Sequence, residues 1–432
     1  MNYDVAIIGL GPAGIEFAKE SLKRGLKTIA FEKTSVGGTC LNLGCIPTKA
    51  MLACAEVFSK INVYSKSNVL PNTNLNKFSY ENLCKKRNNI VTKLSSAVQK
   101  DLEQKGREIV HQSACLRINN SLATVISNGV EYSAKNIIIA TGSEPIDLNL
   151  NSPDVLNSNQ ILDTCVLPKS ILIIGSGAIG VEWARLLNSF GTKVYVVEKA
   201  QNLAPTCDRD ISARLERIFK MSKIIFYKNT TVENYSNGIA KLSCEAEIPC
   251  EKILCAVGRK KVVPNINNNF ELEIYKNCKT NVKNLYVAGD VSGVTMLAHA
   301  ASHQARALFN ELYDGIEFNL PNIPSVIYGS PEIASIGINE QDIDDLNDYK
   351  IYKLPVSYLA KSWCDDEIDG FIKIITHNDF IVGAHIISKE ASALISQIAI
   401  AMKADLKIQD LKDVIFPHPT YSEGILEALL NG

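Results

Sequence analysis

The 432-residue sequence predicts an α/β chain in which one strand–turn–helix–strand unit occurs twice, with a C-terminal α+β region after it. Three observations carry this. Val5-Ala6-Ile7-Ile8-Gly9-Leu10-Gly11-Pro12-Ala13-Gly14 leads through a helix-like stretch to Lys27-Thr28-Ile29-Ala30-Phe31-Glu32. Ile171-Leu172-Ile173-Ile174-Gly175-Ser176-Gly177-Ala178-Ile179-Gly180 leads in the same way to Lys193-Val194-Tyr195-Val196-Val197-Glu198. From about Asn319 the pattern changes to strand-like runs, Gly370 to Ile375 and Phe380 to Ile387, followed by a helix from Ala391 to Lys403.

In each repeated unit the first glycine and the acid are 23 residues apart (9 to 32, and 175 to 198). A lone glycine fingerprint is weak, because a glycine turn in any α/β protein can match it. Two that each follow a strand, open a helix and end in an acid at a second strand tip are specific for Rossmann-like dinucleotide-binding domains. Gly9 and Gly175 permit a tight turn. Gly11 and Gly177 let backbone approach a pyrophosphate, and Gly14 and Gly180 let helix pack on strand. The helix N-terminus offers free N–H groups to the phosphates, and Glu32 and Glu198 are placed to accept from ribose hydroxyls. Shorter strands follow at Ile137-Ile138-Ile139-Ala140-Thr141-Gly142 and at Asn284-Leu285-Tyr286-Val287-Ala288-Gly289-Asp290, each of which taken alone is an ordinary strand exit. Asn265 to Asn269 reads as loop.

The length implies about two to four domains. Hydrophobic residues make up 46% and charged residues 21%, and the net charge is −1, so no broad electrostatic case exists for nucleic acid or an anionic membrane. No apolar stretch in the sequence approaches the roughly 20 residues of a membrane span. The N-terminus enters a strand at once, without a basic or signal-like segment, which suggests a cytoplasmic home. The twelve cysteines are dilute and irregularly spaced. Cys54, Cys84, Cys115, Cys165, Cys207, Cys278 and Cys364 stand alone and read as reduced and structural. Cys244, Cys250 and Cys255 have no histidine nearby, so no metal site is expected.

Cys40 and Cys45 are different. A disulfide between residues so close closes a tiny loop and removes little entropy from the unfolded chain, so it is poorly placed to staple a fold. It is well placed to cycle between dithiol and disulfide. Its position just after a nucleotide fingerprint suggests a cofactor and a thiol pair acting together.

The run Gly38-Thr39-Cys40-Leu41-Asn42-Leu43-Gly44-Cys45-Ile46-Pro47-Thr48-Lys49, the two fingerprints and His418-Pro419-Thr420-Tyr421-Ser422-Glu423 resemble, in order along the whole chain, the flavin-dependent pyridine nucleotide–disulfide oxidoreductases. Met296-Leu297-Ala298-His299 after Asp290 points to the branch that acts on lipoamide. The resemblance implies an FAD-binding domain over residues 1–145 and 265–318, an NAD-binding domain over 146–264 and a dimerisation domain over 319–432. It implies that Gly9, Gly11, Gly14, Glu32, Gly38, Thr39, Lys49, Thr141, Gly142, Asp290 and Ala298 line the FAD site, with Asp290 on the ribityl chain. Gly175, Gly177, Gly180, Glu198 and Gly258 belong to the NAD side, and Lys49 and Glu182 match a pair beside the flavin ring and nicotinamide. A carboxylate at Glu198 favours a free 2′-hydroxyl over a 2′-phosphate, hence NAD over NADP.

The same resemblance implies a redox disulfide between Cys40, which meets substrate, and Cys45, which faces the flavin. His418 would be the base, oriented by Glu423, and would act on the disulfide of the other subunit of a homodimer. The implied activity is oxidation of protein-bound dihydrolipoamide with reduction of NAD. The implied partner is a lipoyl domain, of a 2-oxoacid dehydrogenase acyltransferase or of a glycine cleavage carrier. A sister NADH-dependent flavoprotein with another disulfide substrate, and a docking subunit with weak catalysis, are the alternatives. Departures from the family pattern include Lys261, Phe416 and Ala393. His385 is expected to be packed, and His111 and His377 to be at the surface.

Overall fold

A computed structural model describes residues 2–71, 78–104, 108–267, 270–345 and 347–432. The chain forms two compact units, one from Met1–Ala50, Glu81–Ile146 and Arg259–Leu320, the other from Met51–Tyr80, Asp147–Gly258 and Pro321–Gly432.

The first unit is organised by a seven-stranded sheet. Its parallel part places Glu108–Val110, Thr28–Phe31, Asn2–Ile8 and Val130–Ile139 side by side, with Leu285–Val287 also parallel to Val130–Ile139. Leu122–Ser127 and Cys115–Asn119 continue the sheet in antiparallel fashion. Val5, Ala6 and Ile7 are fully buried, as are Ile137, Ile138 and Ile139. Unbroken apolar runs of this kind fit strands covered on both faces. Helix Pro12–Lys23 starts on Pro12, whose fixed φ suits a first helical position, and buries Phe17 edge-on against Phe309 of helix Ala298–Asp314. Of the expected Asn-rich loop, Ile266 bridges to Leu116 and the Asn267 carboxamide accepts from the Ile118 N–H at 2.7 Å, while Asn268 and Asn269 lie outside the described residues.

The second unit contains the second copy of the repeat. Ile225–Tyr227, Lys193–Val197, Ser170–Ile174, Lys252–Cys255 and Val155–Asn157 form an all-parallel sheet in that order. Helix Ala178–Ser189 is buried on all sides from Gly180 to Leu187, including Trp183 at 2% exposure. The C-terminal region is a five-stranded antiparallel sheet, in the order Ser325–Ile327, Glu332–Gly337, Phe380–Ser388, Phe371–His377 and Tyr349–Pro355. Its helix runs from Ala391 to Lys403, the expected bounds. Phe58 and Phe78 join this unit by packing on Phe190, Phe78 stacked at 4.6 Å.

Hydropathy adds a feature absent from the sequence reading. The helical run Gly38–Lys66 is long and apolar enough, at a mean hydropathy of 1.2, to cross a membrane by composition alone. It is interrupted at Gly44, whose backbone leaves the helical region, and Asn42 ties its first turn back to the carbonyls of Val36 and Gly38.

One buried charge cluster ties the N-terminus of helix Arg209–Met221 to the antiparallel sheet of the second unit. The Lys373 ammonium, fully buried, donates to both oxygens of fully buried Asp208 at 2.8 and 2.9 Å, to Asp210 at 3.0 Å, and pairs with Glu340 at 2.5 Å. Asp208 also caps helix Arg209–Met221 through the Asp210 N–H and accepts from the Glu340 N–H. Burial works against the Lys373 charge, yet its carboxylate partners hold its pKa above the ordinary lysine value. His385 is buried beside this cluster, as expected, with Nε2 2.9 Å from the Ile338 carbonyl; burial pushes its pKa down. Replacing one member should strand the others. Lys373→Met is expected to destabilise the protein by about 3–5 kcal/mol in denaturant unfolding. Adding Asp208→Asn should recover much of that loss, and equal losses in the single and double variants would contradict the coupling.

Candidate active site

The two glycine turns are nearly superposable in their local geometry. Gly9 has φ +98° and Gly175 φ +96°. A Cβ would stand 2.5 Å from the Ala140 carbonyl oxygen at Gly9 and 2.6 Å from that of Ala256 at Gly175. At Gly14 and Gly180 a Cβ would stand 2.0 Å from the carbonyl oxygens of Gly9 and Gly175. The middle glycines behave differently. Gly177 faces open space, and the nearest atom to a Cβ on Gly11 is the Gly38 Cα at 4.0 Å. The outer glycines are therefore required by packing, and the middle ones leave room for a close approach. The helices that begin after Gly11 and Gly177 have no side-chain cap, so their first N–H groups remain for a ligand. Both turns thus fit the pyrophosphate of a dinucleotide.

The acids do more than the sequence suggests. Glu32 Oε2 accepts from the Leu10 N–H at 2.8 Å and Oε1 from the Thr34 N–H at 2.9 Å. Glu198 Oε2 accepts from the Ser176 N–H at 2.8 Å and from its hydroxyl at 2.6 Å, and Oε1 accepts from the Ala200 N–H. Each carboxylate locks the glycine turn to the end of the second strand, which leaves only its remaining lone pairs for a ribose.

Cys40 lies in helix Gly38–Leu43 and Cys45 opens helix Cys45–Lys66, with the break at Gly44 between them. The segment is set against the first fingerprint by a glycine pair. A Cβ on Gly38, at φ +57°, would come within 2.7 Å of the Gly11 Cα. Cys40 and Cys45 are both half-buried. Their side chains are hydrogen-bonded. That bond, then burial, then the neighbouring Cys45 charge push the Cys40 pKa up, against a weaker opposing pull from Lys49.

The same unit holds a polar network that sequence reasoning missed. The Ser143 hydroxyl donates to Asp290 Oδ2 at 2.5 Å and accepts from Arg259 Nε at 2.8 Å. Arg259 Nη2 donates to the Ser143 carbonyl at 2.7 Å and reaches the Thr39 hydroxyl at 3.5 Å. Burial lowers the Arg259 pKa, while Asp290 and Cys45 favour its charge. The only sequence signal was the position of Arg259 directly after Gly258, which has φ +114°. Thr141 donates its hydroxyl to the Val262 carbonyl, and Gly142, at φ +71°, faces open space. Ala298 begins helix Ala298–Asp314, whose N-terminus also lacks a side-chain cap. These placements fit a flavin dinucleotide held by Gly11, Gly38, Gly142 and Asp290.

In the second unit, buried Glu182 accepts from the Tyr328 N–H at 3.1 Å. The loop before helix Glu423–Asn431 carries His418, with 71% of its side chain exposed. His418 Nδ1 lies 2.8 Å from Glu423 Oε1, and Glu423 Oε2 accepts from the Thr420 N–H at 2.8 Å. Burial raises the Glu423 pKa, but the Thr420 N–H and His418 outweigh it and hold the carboxyl below its usual value. A carboxylate at Nδ1 selects the tautomer with a free Nε2 lone pair, the arrangement of a general base. Among the described residues no cluster of histidine, cysteine and acidic side chains suits a metal ion.

Comparison with known proteins is consistent along the chain. Residues 3–305 match the family model for pyridine nucleotide-disulphide oxidoreductases, and residues 323–429 match its dimerisation domain. The dihydrolipoyl dehydrogenase of Bacillus subtilis (strain 168) is 33% identical, over 99% of this chain and 98% of its own length. That of Mycoplasma genitalium is 30% identical over the same shares. Among solved structures, LpdA from Mycobacterium tuberculosis matches with a TM-score of 0.90 at 22% identity, over 99% of this chain and 98% of its own. The flavoprotein disulfide reductase RclA from Escherichia coli matches at 0.87 and 24%, over 99% of this chain and 100% of its own. The chain belongs to the pyridine nucleotide-disulphide oxidoreductases, enzymes that use FAD and NAD(H) to act on a sulfur group, and it carries that family's dimerisation domain.

Proposed function

We propose that the protein is a dihydrolipoyl dehydrogenase: it oxidises protein-bound dihydrolipoamide through Cys40 and Cys45 and reduces NAD. The observation that carries this reading is the hydrogen bond between the Cys40 and Cys45 side chains across the break at Gly44, which brings the two thiols within reach of each other. Relatives named dihydrolipoyl dehydrogenase, matched over nearly the whole of both chains, support the substrate class.

The chemistry on the chain's own residues begins from the disulfide. A substrate thiol is a weak nucleophile until deprotonated, and His418 Nε2 takes that proton while Glu423 stabilises the resulting imidazolium. The substrate thiolate attacks Cys40 Sγ, the Cys40–Cys45 bond breaks, and Cys45 leaves as thiolate. The second substrate sulfur then attacks the first, closes the lipoamide ring and releases Cys40, which keeps the second proton. Two electrons have moved from substrate to the cysteine pair. Arg259, which exerts a Coulombic pull on Cys45, favours the thiolate there. The first fingerprint with Gly38, Thr39, Lys49, Thr141, Gly142, Asp290 and Ala298 would hold FAD, which when bound would supply the two-electron relay. Gly175, Gly177, Gly180, Glu198 and Gly258 would hold NAD, with Glu182 as a further residue of that site.

In this reading the protein works as a homodimer, His418 and Glu423 serve the cysteine pair of the second subunit, and the substrate arrives on a lipoyl domain. The domains are FAD-binding (1–145 and 265–318), NAD-binding (146–264) and dimerising (319–432). The deciding experiment measures NAD reduction with dihydrolipoamide against NADH oxidation with glutathione disulfide; preference for the second would overturn the substrate assignment.

Cys45→Ser should abolish turnover with dihydrolipoamide while the purified protein remains yellow; full activity would sink the disulfide relay. The NAD turn gives a sharper comparison. Gly177→Ala meets no neighbouring atom, so its melting temperature should match the parent while the KM for NAD rises by about tenfold or more. Gly180→Ala places a Cβ 2.0 Å from a backbone oxygen and should lose stability first. An unchanged KM in Gly177→Ala would show that no ligand approaches that glycine.

A further inference from the structure

The two glycine turns differ at the residue between their first two glycines, and the difference falls on the acid that each turn holds. In the first turn Leu10 gives Glu32 Oε2 only its backbone N–H. In the second, Ser176 gives Glu198 Oε2 both its N–H, at 2.8 Å, and its hydroxyl, at 2.6 Å. The hydroxyl makes the shortest of the three bonds to this carboxylate, since the Ala200 N–H reaches Oε1 at 2.8 Å. Ser176 is fully buried. Its hydroxyl oxygen accepts from the Ala204 N–H at 3.1 Å, so its single proton is committed to Glu198.

The hydroxyl is not needed to build the turn. Gly9 and Gly175 have φ values of +98° and +96°, and the first turn forms with a leucine where the second has Ser176. Nor does it fix the backbone of Glu198, whose N–H donates to the Tyr227 carbonyl at 2.8 Å and whose carbonyl accepts from the Thr230 N–H at 3.0 Å. What the hydroxyl holds is the carboxylate. It also anchors the segment that follows: Ala204 is buried at φ +46°, a conformation that alanine seldom adopts, and its N–H is bound to Ser176. One side chain thus joins the acid to the segment after it.

A carboxylate offers about four acceptor sites. Protein donors take two on Oε2 and one on Oε1 of Glu198, so the site left for a ribose hydroxyl is on Oε1. Choice of NAD over NADP is a difference of affinities, and repulsion between this carboxylate and a 2′-phosphate creates it. The repulsion lasts only while the carboxylate stays in place. If the Glu198 side chain swings away, a 2′-phosphate is relieved of it, and exposed Lys199 is the next residue in the chain. Swinging away means breaking the bonds that hold the carboxylate, and the charge-assisted bond from Ser176 is the shortest of them. We propose that Ser176 is a positioning residue for dinucleotide choice: its hydroxyl holds the Glu198 carboxylate against a 2′-phosphate and so excludes NADP. This role rests on the reading that Glu198 meets the ribose of NAD.

Calorimetric titration of the oxidised, FAD-loaded protein with NAD and with NADP gives both Kd values without turnover. The parent should bind NAD more tightly. In Ser176→Ala the NADP Kd should fall while the NAD Kd changes little, so the ratio of the two drops by about tenfold. Ser176→Cys, close in size but a weaker donor, should lower the ratio in the same direction, and it serves if Ser176→Ala does not fold. A merely structural loss would weaken both dinucleotides alike. Glu198→Ala removes the carboxylate, and in that background Ser176→Ala should leave the ratio unchanged. An unchanged ratio in the Ser176 variants, or the same drop with and without Glu198, would overturn the role of Ser176. A parent that binds the two dinucleotides equally would overturn the reading of Glu198 itself, and the role of Ser176 with it.

Discussion

The approach of Gly38 to Gly11 is the contact on which the rest of the candidate site depends. Two stretches of backbone meet where neither carries a side chain, and a Cβ on Gly38 would come within 2.7 Å of the Gly11 Cα. That contact seats the cysteine-bearing helices directly on the turn that opens helix Pro12–Lys23. Without it, the dithiol and the first dinucleotide turn would be neighbours in sequence and nothing more. Around it the structure adds small constraints of the same kind: Asn42 tied to Val36 and Gly38, and Gly37 closed down on Leu41. Positioning of this sort is what a redox protein contributes, since the electron chemistry belongs to its cofactor.

Charge is managed differently in different places. At the two fingerprints a single carboxylate closes each turn with hydrogen bonds to backbone N–H groups. In the first unit Arg259, Ser143 and Asp290 form a chain of bonds that ends near Cys45. In the second unit Lys373 is satisfied by three carboxylates, which makes it a structural cation. Arg185 is the contrasting case, a buried cation with a donor that nothing in its surroundings meets. The two differ in their partners: three carboxylates meet Lys373, while a single backbone carbonyl meets the Arg185 head.

Much of the site was legible in the residues. The equal spacing of the two glycine fingerprints announced two dinucleotide domains, because the tight turn, the close approach and the helix packing each demand a glycine at a set place. The separation of Cys40 and Cys45 marked a labile pair. The strand-like runs Gly370 to Ile375 and Phe380 to Ile387, followed by a helix from Ala391 to Lys403, marked the third region. Local pattern was less informative about Arg259, Ser143 and Arg185, which are ordinary polar residues until long-range contacts give them partners or withhold them.

The sequence by itself determined the repeated units, because each glycine and acid sits at a fixed spacing; the close pair Cys40 and Cys45 pointed to a labile dithiol, and the His418–Glu423 motif was legible only through the family resemblance. Only the tertiary structure decided that Glu32 and Glu198 are already committed to their own turns. It also decided that the Cys40 and Cys45 side chains are hydrogen-bonded and that one buried ion cluster joins helix Arg209–Met221 to the antiparallel sheet of the second unit. It placed Cys45, Ser143 and Arg259 in one unit although up to 214 positions separate them in sequence (45 to 259). The physical reason is the same in each case. Hydrogen bonding and desolvation depend on what surrounds a group in space, and a sequence states only what precedes and follows it.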